Sequence, residues 1–211
     1  MKWNRFLLPV MMGVAIIMGV QLYNQQHADN GQLTVSTSSN ALVLAWRGQV
    51  EIPMATSMRR AFAQHKTTAR QVIVDLNSQG GSLREGGEVI YLLDEISQSH
   101  ELITVVRSRR ICMSMCVPIF LQGKARLAAP DARFMFHEPK RFYDDGSEAK
   151  GFSFEREALT QRFFDKYFVN SAMDAAWRAR LEAQWAGKDI YKSGQELLDE
   201  RSNIVTRLVT R

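Results

Sequence analysis

Val72-Ile73-Val74-Asp75-Leu76 is a short β-branched run of the kind that forms a buried strand, and an amphipathic stretch carrying Leu83, Ile90, Leu93 and Ile96 follows it directly. The alternation recurs along the chain. An apolar run from Ala41 to Val50 is broken by Gly48, and Pro53 then opens a helical pattern with Met54, Met58, Ala61 and Phe62 on one face. Leu102 to Val106 predicts the next strand, Ser114 to Gln122 a short helix, and Arg133 to His137 another strand. Phe154 to Phe168 predicts a long helix with Leu159, Phe163, Phe164, Tyr167 and Phe168 at helical spacing. A further helix carries Met173, Trp177, Leu181 and Trp185, with Ser171 as a cap and Asp174 three residues on. Strands alternating with helices imply an α/β body wound as right-handed βαβ units.

A different solvent is written into the first residues. From Phe6 to Ala28 there is no charge, and Phe6 to Tyr23 is apolar on every face except for Gln21. That length is near the minimum for crossing a hydrocarbon core. Lys2 and Arg5 precede the run and no basic residue directly follows it, which predicts the N-terminus inside and the remainder outside the cytoplasm. The run lacks the small-residue cleavage site of a signal peptide and leads into Gln21-Leu22-Tyr23-Asn24, so an uncleaved transmembrane anchor over residues 1–23 is expected. Residues 24–40, rich in Gln, Asn, Ser and Thr, are expected to be a polar tether, and residues 41–211 a single domain.

The formal net charge is +5. Its densest stretch, Arg107 to Arg110, is too short for a nucleic-acid surface, so no nucleic-acid partner is expected. Gly123-Lys124 and Gly187-Lys188 are each followed by the wrong residue for a phosphate loop. The chain has four histidines, no H-E-x-x-H and no paired C-x-x-C, so neither a metal nor another cofactor is expected.

Three segments carry candidate chemistry. Asn77-Ser-Gln-Gly-Gly-Ser82 is a Gly-Gly turn directly after a buried strand, which lets backbone N–H groups approach a ligand. Ser114 stands where a strand ends and a helix begins, a place for an N-cap or for a nucleophile beside unsatisfied N–H groups. His137 closes an aromatic strand, where a histidine is either a rim residue or a base.

Together and in this order, Asn77-Ser-Gln-Gly-Gly81, Met113-Ser-Met-Cys116 and Ala129-Pro-Asp-Ala-Arg-Phe-Met-Phe-His-Glu-Pro139 resemble the ClpP family of serine peptidases within the ClpP/crotonase superfamily. The likeness spans about residues 42–199, beginning with Arg47-Gly-Gln-Val50. Cys112-Met-Ser-Met-Cys116 and Phe120-Leu-Gln-Gly-Lys124 are similar to an exported, membrane-anchored group of ClpP-like proteins. The fold implied is a ClpP/crotonase-like spiral of ββα units, preceded by the transmembrane helix, with the body on the periplasmic side of a bacterial inner membrane.

The resemblance implies Ser114 as nucleophile, His137 as general base, and the N–H groups of Gly81 and Met115 as the oxyanion hole. By family spacing Asp189 is the orienting acid, and peptide or unfolded protein substrate would run past Gly80, Ser82 and Glu138. The long helix from Phe154 lies where ClpP subunits meet, which makes a homo-oligomer plausible. Cys116 stands in place of a family glycine and Gln79 in place of a proline, and the first substitution bears on substrate access. Cys112 and Cys116 are four residues apart in a chain expected outside the cytoplasm, so a disulfide across the nucleophile turn and two reduced cysteines are both open. The competing readings are a catalytically silent ClpP-like scaffold and, more distantly, a crotonase-type acyl-CoA enzyme.

Overall fold

A computed structural model describes residues 31–139, 153–185 and 187–210. The anchor expected over Phe6 to Tyr23 lies outside the described residues. Among the described residues, no helix is long and apolar enough to cross a membrane.

The chain enters as a hairpin, β1 (Gln32–Ser38) running antiparallel to β2 (Ala41–Arg47). This corrects the expected tether, whose second half is a strand. β1 lies at the sheet edge with nearly every residue exposed, so it needs no apolar alternation and offers none to read. Helix α1 (Met54–His65) returns the chain to β3 (Gln71–Asn77), and α2 (Leu83–Ser97) returns it to β4 (Glu101–Val106). Both crossovers place consecutive strands in parallel. β5 (Ile111–Met113), α3 (Cys116–Phe120), β6 (Ala125–Ala128) and β7 (Arg133–Phe136) follow. Next come α4 (Ser153–Phe164), which continues into a π-helical turn over Asp165–Val169, then α5 (Ala175–Gln184), β8 (Ile190–Ser193), α6 (Gly194–Asp199) and β9 (Arg207–Leu208).

Two sheets result. The larger has the order β1-β2-β3-β4-β6-β9, parallel apart from its first strand, and the smaller has the order β5-β7-β8. Leu42, Leu44 and Trp46 of β2 and Val72, Val74 and Leu76 of β3 are fully buried or nearly so under α1 and α2. Glu85 of α2 is buried, and its Oε1 accepts a hydrogen bond from the N–H of Ala55 at 2.7 Å. It thereby satisfies a free donor in the first turn of α1, which has no side-chain cap of its own.

The aromatic residues at helical spacing in α4 and its π-helical extension form one cluster with α5 and β7. Phe164 lies 5.2 Å from Trp185, Phe163 5.6 Å from Phe168, and Phe136 5.5 Å from Trp177 between ring centroids. Phe136 immediately precedes His137, so this packing fixes the strand end that presents the histidine. Asp174, rather than Ser171, caps α5, its Oδ1 accepting from Trp177 N at 2.8 Å. Ser171 instead donates to Phe168 O and closes the preceding turn.

Candidate active site

The turn after β3 is tied down from two sides. Asn77 Oδ1 accepts from Ile111 N at 3.1 Å, Ser78 N donates to Ile111 O at 2.9 Å, and Met113 N donates to Ser78 O at 3.0 Å. These bonds join the turn to β5. On its other side Val50 N donates to Gly80 O and Ser82 N to Val50 O, each at 2.8 Å. A Cβ on Gly81 would meet Val50 O at 2.6 Å, so the backbones pass too closely for any side chain. Gly81 N donates to nothing among the described residues, which leaves one aimed but unpaired N–H.

Ser114 follows β5 in the left-handed region, with φ 51°. Such a conformation costs a residue other than glycine about 1 kcal/mol or more and persists only where its surroundings hold it. Here Ser114 N donates to Met135 O at 2.9 Å and Ser114 O accepts from Val117 N at 3.0 Å. The serine is not a cap: α3 starts after Met115 and has no side-chain cap bond. Ser114 Oγ lies 2.7 Å from His137 Nε2. Met115 N, like Gly81 N, meets no acceptor among the described residues. Gly80 brings the two turns together, since a Cβ on it would fall 2.6 Å from Ser114 Cβ and 3.0 Å from Met115 N.

The parallel pairing of Met113 with Met135 brings the serine and histidine into contact, because each directly follows its strand and the strands end side by side. Their 23-residue separation in sequence is thereby closed.

The other expected residues are distributed differently. Asp189 follows the β7–β8 register to the place opposite His137, one step beyond the Phe136–Ile190 pair. It is exposed, and its carboxylate makes no hydrogen bond or ion pair among the described residues. Glu138 Oε2 accepts from Gly187 N at 3.1 Å and so holds the loop leading to Asp189. Ser82 caps α2, its Oγ accepting from Glu85 N at 3.3 Å, which commits that side chain to the helix. Cys112 and Cys116 are joined in a disulfide with their Cα atoms 5.2 Å apart, both fully buried, one on each side of Ser114.

Three participants in this geometry were not singled out by sequence. Val50 O sets the path of Gly81, the Asn77 side chain anchors β5, and Met135 O holds the serine backbone. Asn77 was legible as a turn residue; the two carbonyls leave no trace in residue identity.

Arg47 Nη2 lies 3.0 Å from Asp75 Oδ1, and Arg107 Nε donates to Asp75 Oδ2. The buried carboxylate thus joins the ends of β2, β3 and β4 just ahead of the Gly-Gly turn. Among the described residues no group of three or more His, Cys, Asp or Glu is placed to hold a metal ion.

Comparison with known proteins agrees with the fold described above. No curated protein matches the chain. Among solved structures, a ClpP1 mutant from Listeria monocytogenes superposes with a TM-score of 0.63 at 16% identity, over 80% of this chain and 91% of that one. This is a likeness of fold, and the α/β architecture described above is ClpP-like. The family model described as Clp protease matches residues 35–162. The match covers more than half of the sequence and contains the Gly-Gly turn, Ser114 and His137, and the chain belongs to the Clp protease family.

Proposed function

We propose that this protein is a serine peptidase of the bacterial cell envelope, anchored in the inner membrane by its first 23 residues with its body in the periplasm. The observation that carries the reading is the 2.7 Å contact between Ser114 Oγ and His137 Nε2, made by a serine in a left-handed turn that caps no helix. Ser114 Oγ attacks an acyl carbonyl as His137 Nε2 takes its proton, and the histidine returns that proton to the leaving amine. The oxyanion is received by Gly81 N–H and Met115 N–H, and water then releases the acyl group. Asp189, opposite His137 in the β7–β8 register, is the acid proposed to orient the histidine, acting from an exposed position and so contributing less than Ser114 and His137 themselves. Family membership implies peptide substrates and self-association. No phosphate-binding loop is present in the sequence, so the chain would act without hydrolysing ATP itself.

A fluorophosphonate probe tests the proposal. Labelling of the native protein that disappears in Ser114→Ala is the expected result, and an unlabelled native protein refutes it. The exposed, unbonded Asp189 favours a second reading, a catalytically silent scaffold, which the same experiment separates.

A further inference from the structure

We infer that the Cys112–Cys116 disulfide is the positioning element of the nucleophile turn, and that opening it with a dithiol silences acyl transfer while leaving the fold intact. The inference rests on the peptidase reading of Ser114.

The bridge joins the middle residue of β5 to the first residue of α3 and closes a five-residue loop with Ser114 at its centre. Beyond the bonds from Ser114 N to Met135 O at 2.9 Å and from Val117 N to Ser114 O at 3.0 Å, the helix side of the loop has few backbone restraints. Ser114 holds a backbone conformation that side chains other than glycine rarely adopt, with φ 51°. Met115 N has no acceptor among the described residues, so no hydrogen bond sets its direction. α3 has five residues, includes Pro118 and lacks a side-chain cap, so its own backbone bonds restrain its first turn only weakly. The strand side of the loop, by contrast, is firmly held, with Cys112 bridged to Ser78 and paired with Phe134. The covalent link transmits that firm side to the helix side. Together with the bond from Ser114 N to Met135 O it sets the Ser114 Oγ position, and it restrains the Met115 N–H direction from the helix side.

Reduction removes the link by exchange. Both sulfurs are fully buried, so the exchange is carried out on the unfolded chain: a dithiol's thiolate attacks one sulfur, its second thiol resolves the mixed disulfide, and two electrons and two protons pass to the cysteine pair as the reagent closes into a cyclic disulfide. Both cysteines stay in the core as small apolar side chains, so the surrounding packing has no reason to dissolve.

The test uses the full 211-residue chain in detergent, with fluorophosphonate labelling resolved into a binding constant and a limiting rate. Three forms are compared: oxidised wild type, wild type reduced with dithiothreitol in denaturant and refolded without oxidant, its two free thiols confirmed by counting, and the double variant Cys112→Ala, Cys116→Ala. The expected result is a limiting rate lower by about tenfold or more in both bridge-free forms, because small misplacements of reacting groups are costly. Probe binding should be little changed, thermal unfolding still cooperative, and the rate restored when reduced wild type is reoxidised. If the double variant does not fold, the reduction and reoxidation cycle on wild type decides. Rates within about twofold of oxidised wild type, a loss that reoxidation does not reverse, or two free thiols in the denatured, unreduced chain would each overturn the inference. Failure of oxidised wild type to label at all overturns the peptidase reading, and this inference with it, and is recognised by being independent of bridge state.

Discussion

A Cβ added to Gly80 would fall 2.6 Å from the Cβ of Ser114. The Gly-Gly turn and the serine turn are therefore one packed unit, in which the absence of a side chain at residue 80 lets Ser114 reach His137. Gly80→Ala also forces an L side chain into φ +95° and against Met113 O at 2.7 Å. The variant should fold, because the clash is confined to two turns. It should lose about 100-fold in the rate of fluorophosphonate labelling, the usual effect of a displacement near 1 Å at a reacting group. Labelling kinetics beside a near-ultraviolet circular dichroism spectrum check this; a labelling rate close to wild type would mean that the turns can separate without consequence.

His137 and Asp189 should behave differently from one another. Removing a positioned general base lowers turnover by about 10²- to 10⁴-fold, and His137→Ala is expected within that range. The Asp189 carboxylate accepts no hydrogen bond among the described residues, so Asp189→Asn should cost less than about tenfold, well below the loss from removing the base. Turnover of a peptide substrate by the two variants measures the contrast. Equal losses would show that Asp189 reaches the histidine in the working enzyme.

Arg126 is buried on β6 and holds the C-terminal segment through Ile204 O at 2.9 Å and Asn203 O at 2.8 Å, while its Nη1 donates to Gly123 O, just ahead of β6, at 2.8 Å. Burial pulls its pKa below the usual arginine value. Arg126→Met would leave these carbonyls without their donors, and each such buried group costs about 1–3 kcal/mol. The expected loss is about 3 kcal/mol, read from urea unfolding, with β9 the first element to lose hydrogen-exchange protection. A loss under about 1 kcal/mol would show that water replaces the guanidinium.

Ser193 and Glu196 form a reciprocal cap on α6, with the carboxylate accepting from Ser193 N and Oγ, each at 2.7 Å. The backbone N–H of Ser193, then its hydroxyl, hold the Glu196 carboxyl below the ordinary glutamate range. A lowered folded-state value makes the contribution complete above the unfolded value and lost as pH falls through the folded one. Glu196→Gln should therefore lower the melting temperature slightly at neutral pH, and the difference from wild type should shrink as the pH falls below the ordinary glutamate range. A gap unchanged across that window would remove the carboxylate from the account.

The parallel strands, their crossover helices and the aromatic faces of α4 and α5 were legible because each is a local pattern whose period records which side is buried. Leu42, Val74 and Leu93 sit in the core as that pattern requires. β1 was not legible, because an exposed edge strand is held by backbone bonds to β2 and needs no apolar residues. β6 and β9 are short and take their identity from neighbouring strands, beyond the reach of a local pattern. At the candidate site, residue types and order marked Ser114, His137 and the Gly-Gly turn, while the roles of Val50 O and Met135 O rest on main-chain atoms common to every residue.

By itself, the sequence determined an α/β body, a candidate nucleophile with two cysteines beside it, a histidine after an aromatic strand, and a glycine pair after a buried one. The body follows from short-range periodicity, and the candidate roles from the order of these segments, which resembles that of the ClpP family. Only the tertiary structure decided that Ser114 turns left-handed toward His137 instead of capping α3, that Gly80 packs against it, and that Asp189 remains in solvent. Those outcomes depend on β5 pairing with β7 and on the β3 turn reaching β5, contacts between residues more than twenty positions apart that no local pattern encodes.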